Sequence, residues 1–382
     1  MSEKDLESRI EDLPEEQREE FEERIKPVEK KIHDDLFERH RSDIKNQIED
    51  DESELSDFNV VVSGFLEREG TEYTFIRTEP LIHEKKRNFD VLVAARDRGI
   101  AVLVEIERTL LDRLPSKLSK FEEKMDVVRT NGDELDVDAY FEEVIQKPAA
   151  HIDYVLSSQH LREVDLQEEG AERGLNFVAW MLASHGNRCR IKDFTIKEEE
   201  TATFDGHTDE DLKEYINDVL VKGVEKQDYV SFTYSSSKYL KLKHMAIALV
   251  NRYQRKDEDA SWDYQDWRQL FEAEVDLFNF LDKEKRTLFE NFIDYGTVCG
   301  AVGLEVDHGD LLENEYKIKS NATKDQGKVV DELMEKMAEH RMQDDLKGAV
   351  REEKFELVTE LEQDHATGGT TLSDFVDHDE DE

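Results

Sequence analysis

Three carboxylates carry the chemistry this sequence offers most openly. They fall in Arg87-Asn-Phe-Asp90-Val-Leu-Val and in Ala101-Val-Leu-Val-Glu105-Ile-Glu107-Arg108. In an extended strand Glu105 and Glu107 project to one face, while Val104 and Ile106 face the other way. ARDRG at 95–99 predicts a tight connection that makes the two strands antiparallel neighbours. Asp90 stands early in the first strand and Glu105 late in the second, so their carboxylates meet. Anions gathered beside an apolar sheet are expensive unless they are paired. A divalent cation with oxygen ligands relieves that cost, and Mg²⁺ (or Mn²⁺) is the expected ion. The plainer alternative sends Glu105 and Glu107 off the strand end into solvent, beside Arg108.

The surrounding elements must hold these acids in place. Residues 1–54 hold 21 Asp+Glu against 10 Lys+Arg and read as an acidic arm, with an amphipathic helix at about 27–49. DDESELSD then reads as a linker. A core follows over 55–200, in which NVVVSGFL, EYTFIRTE, NFDVLVAAR and IAVLVEIER read as short strands. Residues 114–130 predict a helix with Pro115 in its first turn, and a second helix is predicted over 138–160. LNFVAWMLA reads as a buried central strand, followed by the strand CRIKDFTI and a helix from near Thr208. A segment over 201–235 connects this core to a unit at 236–322, with helices at 240–255, 264–273 and 276–296. GLEVDHGDLLENEYKIK closes that unit as two strand-like arms, a layout that loosely resembles a winged helix. Residues 323–366 read as a charged helix, and 367–382 as a disordered acidic tail. The fold class expected is mixed α/β.

Asp90 before one strand and Glu105 on the next resemble the acids of the PD-(D/E)XK, or restriction-endonuclease-like, nuclease superfamily. Its αβββαβ core carries an Asp on the second strand and Glu-x-Lys on the third. The resemblance covers about 30–195, with LNFVAWMLA as the strand after the crossover helix. It implies Asp90 and Glu105 as metal ligands in a magnesium-dependent nuclease. Position 107 departs from the pattern, holding Glu where the family has Lys. Glu107 is then a third ligand or a general base, with Lys117 or Lys120 on the following helix taking the lysine's role; a dead site is the other outcome. Lys117, Lys120 and Lys124 share one helical face. The family also often adds a glutamate from its first helix, for which Glu29 and Glu38 are the candidates.

Basic clusters stand out because the chain as a whole is acidic. With 95 Asp+Glu and 52 Lys+Arg among 382 residues, the formal net charge is −43. Molar salt shortens the Debye length to about 3 Å and screens the resulting self-repulsion. That predicts a protein of a high-salt cytoplasm; an acidic decoy that imitates nucleic acid is the competing reading. Against this background KYLKLKHMAIALVNRYQRK at 238–256 has six Lys/Arg and no acid. Lys241, Lys243, Arg252 and Arg255 are its candidate phosphate contacts, and Lys85, Lys86 and Arg87 form a second island beside Asp90. The equally simple reading pairs these cations with neighbouring acids. Lys283, Lys285 and Arg286 open the third helix of the winged-helix-like unit. Trp262, Tyr264, Trp267 and Phe271 recur at helical spacing, as a core face does.

Several classes are excluded on composition. Two cysteines, Cys189 and Cys299, build neither a disulfide scaffold nor a zinc finger. There is no Gly-rich phosphate loop ending in Lys-Ser/Thr and no GxGxxG. The apolar runs are too short to span a bilayer, and the acidic N-terminus lacks the apolar stretch of a secretory signal. Nucleic acid, DNA first, is the expected partner; a homodimer is compatible, and no membrane is involved. The competing functions are an inactive nuclease-fold binding protein and an acidic protein-interaction module.

Overall fold

The computed structural model describes residues 3–66, 70–83, 86–87, 89–108, 110–130, 151–159, 178–193, 209–255, 261–274, 280, 282–320 and 325–367. Lys85, most of the helix predicted over 138–160, and the tail from 368 lie outside them. Of Lys86, Arg87, Arg252 and Arg255 only the backbone is described.

Helix α1 (Glu3–Asp12) is followed by α2 (Glu15–Phe65), a single helix of 51 residues. It runs through Pro27, through the predicted linker DDESELSD and through the predicted strand NVVVSGFL. Both of those readings are therefore corrected. The second has a physical reason: Val60, Val61, Val62 and Phe65 are fully buried. A helix that is apolar all round is a buried helix, and a short apolar run alone does not distinguish it from a strand.

Seven described strands make one sheet: β1 (Tyr73–Thr78), β4 (Val91–Ala95), β5 (Ile100–Ile106), β6 (His151–Ser158), β7 (Val178–His185), β8 (Arg188–Asp193) and β9 (Val224–Glu225), in that spatial order. A separate ribbon pairs β2 (Leu81–His83) with β3 (Lys86–Arg87). Strands β1, β4 and β5 form an antiparallel meander. Its β4–β5 connection is a 3₁₀ turn at Arg96–Arg98 closed by Gly99, whose φ of 66° suits a residue without a Cβ. Helix α3 (Leu110–Thr130) crosses over to β6, which lies parallel to β5. Pro115 sits inside α3, because the helix starts earlier than predicted. Residues 151–158 are strand where a helix was predicted, so the strand beside β5 is β6. LNFVAWMLA supplies β7, one position further out and parallel to β6.

The buried half of α2 packs on one face of the sheet against Val91, Val93, Val102, Val104, Val155, Trp180 and Ile191. On the other face α3 buries Leu118, Phe121 and Met125, with Phe121 edge-on to Phe89. Helix α4 (Glu210–Tyr215), capped by Asp209, continues into a π turn at Ile216–Leu220.

The second unit comprises α5 (Lys238–Arg255), α6 (Tyr264–Glu274), α7 (Asp282–Val298) and the antiparallel pair β10 (Val302–Val306) and β11 (Glu315–Ile318). Trp262, Tyr264 and Trp267 are buried in its core. Polar clasps fasten it to the sheet unit. Arg77 donates two hydrogen bonds to Glu284, 3.0 and 2.9 Å, with both residues buried. The connecting segment is tied down as well, since Asn59 of α2 donates to the Val230 carbonyl and accepts from the Val230 N–H.

Helix α8 (Gln326–Thr367) returns antiparallel along α2. Arg341 pairs with Asp43, Asp345 with Arg39 and His40, Lys354 with Glu29, and Glu360 with Arg24. Helix α1 caps the end of this helical pair with its own apolar cluster of Leu6, Leu13, Phe21, Ile25, Leu357, Val358 and Leu361. The predicted acidic arm is thus one half of a two-helix stalk.

Candidate active site

The β4–β5 register places the acids. Val91 pairs with Val104, so Asp90 stands opposite Glu105, and the Asp90 N–H donates to the Val104 carbonyl at 3.0 Å. Directly opposed residues of an antiparallel pair share a face. That face is the one covered by α3. Asp90 Oδ2 accepts from the Ile106 N–H at 2.7 Å, which fixes the carboxylate across the strand end.

Burial and the facing Glu105 charge push the Asp90 carboxyl well above the usual carboxylate range; Lys124 and the Ile106 N–H pull the other way. Burial also raises Glu105, which is 7% exposed, against the opposing pull of Lys124. Lys124 Nζ donates to Glu105 Oε1. Glu105 Oε2 is buried and makes no hydrogen bond. Glu107, also buried, pairs with Lys117 at 2.5 Å. The helix thus supplies one lysine to each strand glutamate.

Lys117 and Lys124 lie seven residues apart and flank the stripe of Leu118, Phe121 and Met125. Lys120 lies farther round the helix and is exposed. The predicted face therefore splits, and Lys124 takes the contact with the site that spacing equally allowed Lys120.

Neither proposed first-helix acid comes near. Glu29 is bound to Lys354 in the stalk, and Glu38 is exposed there. Glu54 lies about 37 Å farther along α2 than Glu29, at 1.5 Å per residue. Its carboxyl is raised by burial and by the charge of Asp51, with Arg108 opposing and Glu79 and Asp57 adding to the rise. Glu79 links this acid to Asp90, since its charge also raises Asp90. The Glu79 N–H donates to the Asp90 carbonyl, and its carboxylate accepts from the Ser235 N–H at 3.0 and 3.2 Å. A positive φ of 46° at Glu79 turns the chain out of β1 there. Sequence reasoning missed this residue; an acid closing the strand beside Asp90 was its only signal.

Beyond the ends of β5 and β6 opens a cleft of ≈ 660 Å³, walled by Asp50, Asp51, Glu54 and Asp57 of α2 together with Arg108 and Gln159. Arg108 donates to Ser53 Oγ at 2.5 Å.

The basic helix α5 is less available than its composition suggested. Lys243 pairs with Glu52 at 2.6 Å, and Lys241 donates to the Tyr234 carbonyl. Lys238 stands 4.1 Å over the Tyr295 ring. In α7, Lys285 is buried against Glu272, and Arg286 pairs with Glu290.

No family model, curated protein or solved structure matches this chain. Its site has to be read from its own geometry. Among the described residues no three His, Cys, Asp or Glu side chains converge as a metal cage. Two carboxylates do meet, and Mg²⁺ is commonly held by one or two carboxylates, retained waters and substrate phosphate. The orphaned buried oxygen of Glu105 and the raised carboxyl of Asp90 fit such an ion. Among the described residues no helix is long and apolar enough to cross a membrane.

Proposed function

We propose that the protein is a metal-dependent nucleic-acid phosphodiesterase adapted to high salt. The observation that carries this reading is the in-register pairing of Asp90 with Glu105 at the end of an antiparallel meander. The order α2, β1–β4–β5, α3, β6 also supports it, because it matches the helix, three strands, helix, strand of a PD-(D/E)XK core. Asp90 and Glu105 would hold the cation, with Glu107 joining when Lys117 releases it. A bound Mg²⁺ or Mn²⁺ would supply Lewis acidity and lower the pKa of a coordinated water. The Ile106 N–H aims Asp90, and Lys124 steadies Glu105. Lys117 neutralises Glu107 and so keeps a proton acceptor beside the two ligands. Arg108, in the adjoining cleft, offers a guanidinium to a phosphate.

A second reading has its own support. Lys117 and Lys124 already neutralise the two strand glutamates, as expected of a nuclease fold that binds nucleic acid without cutting it. Cleavage of end-labelled single- and double-stranded oligonucleotides in molar KCl with Mg²⁺ or Mn²⁺ separates the two. Cleavage that disappears in Asp90→Asn and in Glu105→Gln supports the enzyme. Wild type that binds without cutting in either metal supports the second reading. Undiminished cleavage by Asp90→Asn would falsify the site.

A further inference from the structure

Strand β8 reads Arg188-Cys-Arg190-Ile-Lys192-Asp193, and its alternation separates two functions. Cys189 and Ile191 are buried toward α2, whereas Arg188, Arg190 and Lys192 are exposed on the opposite face. That is the face of the sheet that carries Asp90, Glu105 and Glu107.

The registers connect the two groups. Lys192 pairs with Met181, Met181 with Ser158, and the Glu107 N–H donates to the carbonyl of Ser157 beside it. Lys192 therefore lies three strand spacings from Glu107, about 14 Å. Arg190 and Arg188 stand two and four residues farther along, about 7 and 13 Å at the usual strand rise. Strand β7 is parallel to β5 and β6 and outruns them, so these two arginines overhang the edge at which Glu107 sits. Arg190 is also positioned. Across from it, Gly223 has φ +93°, and a Cβ there would lie only 3.3 Å from Arg190 Cγ and Nε. The missing side chain lets the arginine stem lie flat. In register, Glu225 faces Arg188 from β9. His185 faces Arg188 from the other side.

In a chain of −43, three cations at every second residue of an exposed strand are an exception that calls for a polyanion. We propose that Arg188, Arg190 and Lys192 are the backbone-phosphate track of this protein, holding a nucleic-acid strand whose scissile phosphate sits at Asp90 and Glu105. The proposal rests on the phosphodiesterase reading for the position of the scissile group, and on the strand registers for the track. Contacts of this kind position a strand without reading its bases, so the track favours no sequence. It takes precedence over helix α5 as the main seat of phosphate, because Arg188, Arg190 and Lys192 are exposed whereas Lys241 and Lys243 are half-buried.

The test uses full-length protein carrying Asp90→Asn, so that binding is read without cleavage, and a fluorescein-labelled oligonucleotide whose anisotropy is followed from 0.1 to about 1 M KCl. Combining Arg188→Gln, Arg190→Gln and Lys192→Gln should reduce the salt slope by roughly two to three units and weaken binding of all sequences alike. Arg190→Lys, which keeps the charge, should bind nearly as the parent does, and Ala183→Lys, adding a cation beside Arg190 in register, should steepen the slope. The same triple variant in the Lys241→Gln, Lys243→Gln background should lose little more. An unchanged slope in a triple variant whose parent binds would overturn the track, while cleavage by wild type would still uphold the phosphodiesterase. Binding through the track without any cleavage would keep the track and overturn the enzyme. Poly-glutamate competing as well as the oligonucleotide would overturn the assignment to phosphate.

Discussion

The α3 face of the sheet and the basic helix α5 both join lysines to carboxylates, yet with opposite emphasis. On the sheet the carboxylates are buried and the lysines reach in from α3 to neutralise them: Lys124 to Glu105 and Lys117 to Glu107. At α5 the lysines lie at the rim and reach out, Lys243 to the half-exposed Glu52 and Lys241 to a backbone carbonyl. An ion pair in water contributes little, because solvent serves either charge almost as well. An ion pair under a helix is different: removing one partner strands the other. A basic run in the sequence therefore says less about function than a single acid in a buried strand does.

The largest effect that would test this contrast lies where the two units meet. Glu284→Ala leaves the Arg77 guanidinium buried without its carboxylate and should destabilise the protein by about 3–5 kcal/mol in urea unfolding. A loss below about 1 kcal/mol would show that water reaches this clasp.

His244 provides the next test. Burial, and then the Lys243 charge, depress its pKa from 6.5 to about 4, with Glu52 opposing. The unfolded chain therefore takes up a proton that the folded one refuses. The stability His244 supports is present above pH 6.5 and is lost as pH falls toward 4, by up to about 3 kcal/mol. His244→Phe should flatten that limb of the Tm-against-pH curve, and an unaltered limb assigns the acid sensitivity elsewhere.

Lys124→Ala and Lys243→Ala compare the two kinds of pair directly. We expect about 2 kcal/mol for the first, since Glu105 keeps a buried charge, and under about 0.5 kcal/mol for the second. Equal losses would erase the distinction. Smallest and opposite in sign is Asp90→Asn in metal-free buffer. The folded carboxyl titrates above the unfolded one, so the folded state holds an extra proton between the two pKa values. Its stability falls as pH rises through that window. Asn removes the penalty and should raise the urea midpoint at neutral pH, and a lowered midpoint would show that the fold accommodates the ionised carboxylate.

Local pattern made part of this legible. The ARDRG turn and the alternation around Glu105 gave both the hairpin and the meeting of Asp90 with Glu105, because strand pairing across a tight turn depends on few residues. The run NVVVSGFL misled, since its burial on every side comes from the sheet together with residues such as Tyr215, Leu220 and Val230, far along the chain. Glu79 was invisible for a related reason: its partner is the amide of Ser235, 156 residues away. The choice of Lys124 over Lys120 depends on how far α3 is rotated against the sheet. Residues three or four apart on one face do not fix that rotation.

Helix α2 has one consequence for how the chain assembles. Its N-terminal half finds its long stalk partner in α8, and Arg24 meets Glu360 across 336 residues. Closing so long a loop is slow relative to local helix formation, although doubling a loop adds only about 0.6 kcal/mol of entropy. On a ribosome, α2 emerges about 260 residues before its partner begins. Between those moments Phe21, Ile25 and Ile44, buried in the finished protein, have nothing from α8 to cover them. The acidic surface of the arm then has a second use, since like charges on neighbouring nascent chains keep exposed stripes apart until each chain's own α8 arrives.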